Sequence, residues 1–270
     1  MPPPRATYRL QLHRGFTFED AASIAPYLSA LGVSHVYLSP ILRSAPGSEH
    51  GYDCVDPETI DPDRGGESGW NSLQAACSSA NLGMVLDVVP NHLDVSSNEN
   101  RWWRSVLEFG PASPWAHVFD IDWSPEDAVE AKDGGVLVPV LGEPIAEAFD
   151  EAKISLERRG GSIVATYFDH VFPLSPASVA QILEESTEDS ADEADRAVLT
   201  ECAAALRDVE SAAEPDDSPD AKRLDSIGDR LEALWSGDND AARAVDAALE
   251  RTTEDAEAFG QLLRDQSYEL

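Results

Sequence analysis

The chain is predicted to open as a parallel α/β fold, and three observations carry that expectation. The segment Thr7-Tyr8-Arg9-Leu10-Gln11-Leu12 alternates in the manner of a strand. Two apolar runs, Val33-Ser34-His35-Val36-Tyr37-Leu38-Ser39 and Met84-Val85-Leu86-Asp87-Val88-Val89, are each stopped by a proline. Segments of helical period lie between the three. Strand, helix, strand, helix, strand is the opening order of a parallel sheet.

In the first interval, Thr17 can cap a helix with Asp20 three residues on. Ala21, Ile24, Leu28 and Leu31 then share one helical face, Pro26 predicts a kink or restart, and Gly32 ends the helix. Ile41 to Gly66 reads as a long irregular loop, and loops of that length in a compact domain usually have a function. A second helix is expected from about Ser68 to Ala80, with Trp70, Leu73 and Cys77 on its buried side and Gly83 past its end. The third strand, Met84 to Val89, reads as buried on both faces. Asp87 would sit inside it and Asn91 and His92 at its mouth, where parallel strands carry binding groups. The bland alternative is an internally paired Asp87 and a turn capped by Asn91-His92. Taken alone, the stretch leaves both open.

From Leu93 the regularity lapses. Residues 93–125 hold four of the six tryptophans, Trp102, Trp103, Trp115 and Trp123. Val136–Leu141 and Ser162–Phe168 look like strands of a smaller insertion. Indole rings in such a region suit a sugar-binding surface, but each single tryptophan is better read as part of the insertion's own core. After Pro176 the chain is rich in Ala, Glu and Asp. Val198, Cys202, Leu206 and Val209 form one helical stripe; Leu224, Ile227, Leu231 and Leu234 form another; Phe259, Leu262 and Leu263 belong to a third. The expected division is 1–92, 93–176 and 177–270.

Among the 270 residues, 51 acidic side chains stand against 19 basic ones, a net charge of −32. Such a surface repels nucleic acid and anionic membrane, so neither is expected as a partner. It also suits a protein working in concentrated salt, and a halophilic source is expected. Three dispersed cysteines, Cys54, Cys77 and Cys202, form neither a disulfide framework nor a zinc pattern, and no cofactor or metal is expected. Cys77 and Cys202 read as small core residues. Without a signal-like or membrane-spanning run, a cytoplasmic location is expected.

Several segments together resemble glycoside hydrolase family 13, the α-amylase-like (β/α)8 barrels. Asp87-Val88-Val89-Pro90-Asn91-His92 is similar to that family's first signature, at the end of the third barrel strand. His50-Gly51-Tyr52-Asp53 is similar to its Gly-Tyr-Asp element. Leu31–Pro40 running into Ala45–Asp53, together with Phe119–Trp123 and Pro139–Gly142, resembles the trehalose-forming glucosylmutases of the family more than its ordinary amylases. The likeness is dense to about Pro176, sparse beyond it, and returns weakly near Leu262–Tyr268.

The resemblance implies the first three units of a barrel with an inserted subdomain and an acidic helical region. It implies a retaining, transglycosylating isomerase acting on malto-oligosaccharides, which moves the reducing-end glucose from an α-1,4 to an α,α-1,1 bond. His92 would donate to hydroxyls of the ring beside the cleaved bond, and Tyr52 would stack beneath that ring. Asp53 and Asp87 would position other groups. Asn91 resembles a position that serves calcium in some amylases, with nothing else favouring a metal.

The catalytic carboxylates of the family follow its fourth, fifth and seventh strands, the nucleophile in a Gly-x-Arg-x-Asp pattern that these residues lack. They are expected beyond Leu270, in a missing C-terminal part that would be the partner of this chain, and the isolated chain is expected to be inactive. An amylase-like hydrolase fragment and a non-catalytic carbohydrate-binding remnant are the alternatives.

Overall fold

A computed structural model describes residues 3–123, 135–209, 219–237 and 239–270. It divides into two compact units, Met1–Arg101 and Trp102–Leu270.

The first unit runs β1 (Thr7–Leu10), α1 (Phe18–Ser23), α2 (Ala25–Ala30), β2 (His35–Leu38), β3 (Leu42–Ser44), β4 (Cys54–Ile60), α3 (Gly66–Ser79) and β5 (Gly83–Leu86). β1, β2 and β5 form a parallel sheet in that order, with Arg9 opposite Tyr37 and Tyr37 opposite Val85. Period-two alternation sorts the side chains between its faces. Leu10, Val36, Leu38 and Met84 join the core with Phe18, Ala21, Ala25, Leu28, Leu73 and Cys77 from the helices. Each fully buried Leu or Phe there contributes roughly 1.5–3 kcal/mol relative to exposure. Arg9, Tyr37 and Val85 fall on the opposite face.

The capping box at Thr17 is formed: Asp20 accepts from both the Thr17 amide (2.8 Å) and hydroxyl (2.9 Å). The helix restarts at Ala25, with Pro26 in the first turn of α2, where a missing N–H costs nothing. The third strand differs from expectation. It ends at Leu86, so Asp87 follows the strand, although the Asp87 amide still donates to Leu38 O at 3.0 Å. Leu86 is 40% and Val88 63% exposed, so the run is not buried on both faces. The reason is its place: β5 is the outer strand of the described sheet, with β2 on one side only. The long loop after β2 also holds structure that sequence reading missed, the antiparallel pair β3–β4. Register shifts on both sides of Arg43 break its alternation.

The second unit contains α4 (Arg101–Phe109), β6 (Val136–Leu137), α5 (Ile145–Asp150), β7 (Ile154–Arg159), β8 (Ser162–Tyr167) and β9 (His170–Pro173). Helices α6 (Pro176–Ser186), α7 (Glu193–Arg207), α8 (Pro219–Leu234), α9 (Asp240–Glu254) and α10 (Ala256–Arg264) follow, then β10 (Tyr268–Glu269). β7, β8 and β9 make an antiparallel meander; β6 and β10 pair in parallel. Ile154, Ile163, Phe172, Ile182, Cys202, Leu231, Val245 and Phe259 lie in one core, so residues on both sides of Pro176 pack together. The predicted Val136–Leu141 strand is only two residues long, because Pro139 removes a ladder donor. Trp103, Trp115 and Trp123 pack against this core, and Trp102 stacks on Trp115 at 4.3 Å. Part of the acidic stretch between α7 and α8 lies outside the described residues. No helix among the described residues is long and apolar enough to cross a membrane.

Candidate functional site

At the carboxyl ends of the three parallel strands, the face turned away from the helices gathers a polar cluster. Parallel registry places Arg9 beside Tyr37, and Asp87 follows two residues after Val85 on the same face. One carboxylate oxygen, Asp87 Oδ2, accepts three bonds: from Tyr52 OH (2.7 Å), Tyr37 OH (3.0 Å) and Arg9 Nη1 (3.0 Å). Arg9 Nη2 donates to Tyr52 OH at 2.9 Å, and the guanidinium carbon lies 4.6 Å from the centre of the Tyr37 ring.

These contacts set the charge states. The Tyr52 hydrogen bond, joined by those of Arg9 and Tyr37, holds the Asp87 carboxyl below the usual carboxylate range despite its partial desolvation. The same bond pushes the Tyr52 phenol up, so it stays a neutral donor. Burial works against charge on Arg9, but Asp87 and Tyr52 outweigh it and the guanidinium is held charged.

Tyr52 comes from a loop whose shape is set at Gly51. Gly51 has φ +80°, and a β-carbon there would stand 2.8 Å from Arg64 Nη2 and 3.1 Å from Pro40 O, so any side chain would collide. Arg64 is buried beneath this loop, paired with Asp61 and donating to Ser44 Oγ (2.9 Å) and Leu12 O (3.3 Å). Burial pulls its guanidinium below its ordinary range. Asp53 closes the loop: Ser48 Oγ donates to it at 2.5 Å, His50 lies 3.7 Å away, and its carbonyl accepts from Ala45 N. Just past β1, Gln11 Nε2 donates to Glu49 O at 3.0 Å.

His92 reaches the same loop, its Nε2 3.0 Å from Tyr52 O. The His50 ring lies nearly parallel to that of Tyr52 with centroids 5.9 Å apart. A groove of about 320 Å³ adjoins them, lined by His50, Tyr52, Asp53, His92, Asp94 and neighbouring residues. Tyr52 is 37% exposed.

Of the five residues singled out from the sequence, Tyr52, Asp53, Asp87 and His92 meet within one hydrogen-bonded assembly. Asn91 does not: it is exposed in the bend after Pro90. Among the described residues, no three His, Cys, Asp or Glu side chains converge to hold a metal ion. Arg9, Tyr37 and Gln11 were missed. Arg9 and Tyr37 each stand at an alternate position of a strand, but the register that sets them side by side is not written in the sequence.

Residues 22–132 match the family profile described as Alpha amylase, catalytic domain. A Mycobacterium tuberculosis protein named as a maltooligosyl trehalose synthase is 47% identical over 146 residues, covering 52% of this chain and 18% of the relative. The structure of maltooligosyltrehalose synthase from Arthrobacter ramosus superposes with a TM-score of 0.56 at 42% identity, over 65% of this chain and 22% of that one. The DSM5389 glycosyltrehalose synthase structure covers 98% of this chain and 26% of its own, with a TM-score of 0.58 at 26% identity. The chain thus spans less than a fifth of the length of the curated relative. Its amino-terminal signatures, the profile match over residues 22–132 and these relatives together make part of the chain similar to the α-amylase catalytic domain, and to the maltooligosyl trehalose synthases in particular.

Proposed function

We propose that the chain supplies the first three βα units of a (β/α)8 barrel, and with them the sugar-holding side of a maltooligosyl trehalose synthase site. The observation that carries this reading is the assembly at the strand ends. Tyr52 and His92 are held together beside an open groove, in a chain that over 146 residues is 47% identical to a protein of that name. In the complete reaction a carboxylate nucleophile would form a glycosyl-enzyme, and a carboxylic acid would protonate the departing glucose. That glucose would then turn and attack through its anomeric hydroxyl. The protein must meanwhile keep water from the glycosyl-enzyme.

Within the 270 residues no Gly-x-Arg-x-Asp occurs, which supports a site whose bond-cleaving carboxylates come from elsewhere. Tyr52 would offer its ring to the apolar face of a glucose residue and His92 a donor to that residue's hydroxyls, while Asp87 and Asp53 hold the loop. The nucleophile and acid would come from further strands, a fourth of which could pair with the free side of β5. The division 1–92, 93–176 and 177–270, a saline cytoplasm and a malto-oligosaccharide partner belong to the same proposal.

The test is direct. Purified chain incubated with maltopentaose should give neither trehalose-ended product nor new reducing sugar, yet should bind maltopentaose in calorimetry, with binding lost in Tyr52→Ala. Turnover at enzyme-like rates would overturn the division of labour. Binding retained in the variant would remove Tyr52 from the site. Binding without turnover also fits a non-catalytic carbohydrate-binding role, which the pairing of Tyr52 and His92 without a nucleophile favours as a second reading.

A further inference from the structure

Tyr52 could serve as a platform only if its ring is held at a fixed angle, and a phenol on a loop has no reason to stay put. The structure supplies the restraint from the opposite edge of the sheet, on the same face. Arg9 projects from β1, and its two terminal nitrogens have different jobs: Nη1 grips Asp87 at 3.0 Å and Nη2 grips Tyr52 OH at 2.9 Å. Tyr37 lies against the guanidinium with a 4.6 Å centroid distance and donates its own hydroxyl to Asp87. Four residues from β1, β2, the end of β5 and the loop thus close on one another around Asp87 Oδ2 and Tyr52 OH.

The fork of an arginine can span two acceptors where the point charge of a lysine cannot. Stacking on Tyr37 adds a cation–π contact that restricts the guanidinium plane. We propose that Arg9, backed by Tyr37, is the positioning residue of the sugar platform: by bridging Asp87 and Tyr52 it fixes the Tyr52 ring against the strand ends. The inference rests on the sugar-site reading above. It assigns Arg9 no contact with substrate; its effect passes through Tyr52 and Asp87.

The groups facing the Tyr52 phenol are Arg9, Asp87 and, through Asp87, Tyr37, with His50 beside the ring and His92 at its backbone. The test uses the full chain with 13Cζ-labelled tyrosine, the Tyr52 resonance being identified by its loss in Tyr52→Phe. In Arg9→Gln the Tyr52 resonance should shift and its titration midpoint should rise, because a cation favouring the phenolate is gone while Asp87 remains. Arg9→Lys keeps the charge but loses the bridge. It should shift the resonance by a smaller amount and weaken maltopentaose binding about tenfold, the cost of one charge-assisted hydrogen bond. Arg43→Gln, the same charge change at the separate Arg43–Glu99 pair, should move neither.

A Tyr52 resonance and titration unmoved in Arg9→Gln overturns the inference. So does an Arg9→Lys chain indistinguishable from the parent in both readouts. If the parent binds no maltopentaose while Arg9→Gln still moves Tyr52, the sugar-site reading falls and the positioning by Arg9 stands.

Discussion

Asp87 shows how one side chain can serve three neighbours. Because Tyr52, Arg9 and Tyr37 all stabilise its ionised form, its carboxyl is depressed in the folded chain relative to an exposed aspartate. A depressed carboxyl contributes stability that is fully present above its unfolded value of about 3.8 and lost as pH falls through the lower folded value. Asp87→Asn keeps the shape but cannot titrate. The urea midpoint of the parent should therefore fall more steeply below about pH 4 than that of the variant, and the two curves should run parallel between pH 5 and 7. Equal slopes at low pH would mean that Asp87 is not held by these donors.

Residue chemistry of this kind was partly legible beforehand. Tyr52, Asp53, Asp87 and His92 stood out because each sits in a short pattern at a strand or loop end. Arg9 and Tyr37 did not, because a side chain inside a strand acquires meaning only when the register of its neighbour is known. Asn91 carried the same pattern as His92 yet lies outside the assembly, since adjacent residues after a proline leave the chain in different directions.

At the scale of elements, the meander and α8 meet through two glycines. The β7–β8 turn carries Gly160 and Gly161, and Trp235 Nε1 donates to Gly160 O at 2.8 Å. A β-carbon on Gly161 would stand 2.0 Å from Gly228 O, which is helix backbone and cannot yield. Gly161→Ala should thus push the turn off the helix and cost about 1–3 kcal/mol. The converse substitution is not symmetrical. A β-carbon on Gly228 meets Gly161 O at 3.9 Å, an ordinary contact, so Gly228→Ala should be neutral or stabilising by up to about 1 kcal/mol through helix propensity. Chemical unfolding of the two variants checks both signs.

The elements that sequence reading placed were those with a clean period: three parallel strands, the helices after Thr17 and Ser68, and the apolar stripes of α7, α8 and α10. The strands it missed lacked one. Ile154-Ser155-Leu156-Glu157-Arg158-Arg159 alternates for only three residues before turning polar, yet it is a full strand. There Arg158 forks onto Asp246 with two bonds of 2.7 Å, so its charge is absorbed by α9. His170–Pro173 is short and ends in proline, and β3–β4 hides its register behind two irregularities. In each case a tertiary partner, invisible locally, supplies what the pattern does not.

For the whole molecule, charge is the dominant long-range term. With 51 acidic and 19 basic side chains, full pairing of every cation would still leave a net charge of −32. The described arginines are in fact largely engaged already, at Asp87, Glu99, Glu58, Asp246, Glu184, Glu201 and Asp189. Added salt therefore does two opposite things. It screens these ion pairs, most of them exposed and each worth roughly 0–1 kcal/mol. It also screens repulsion among the excess carboxylates, which the compact state concentrates and the unfolded chain relieves. The second effect wins because the excess is larger than the number of pairs. The screening length falls from about 10 Å at 0.1 M to about 3 Å at 1 M, shorter than most distances between surface carboxylates. The urea midpoint should thus rise steadily as KCl increases from about 0.1 to 2 M. NaCl should act alike, since screening depends on ionic strength, whereas an ion excluded from the surface, such as sulfate, should add a further increment. A midpoint that stays flat or falls would show that the ion pairs, not the unpaired acids, govern stability, and would count against a chain adapted to concentrated salt.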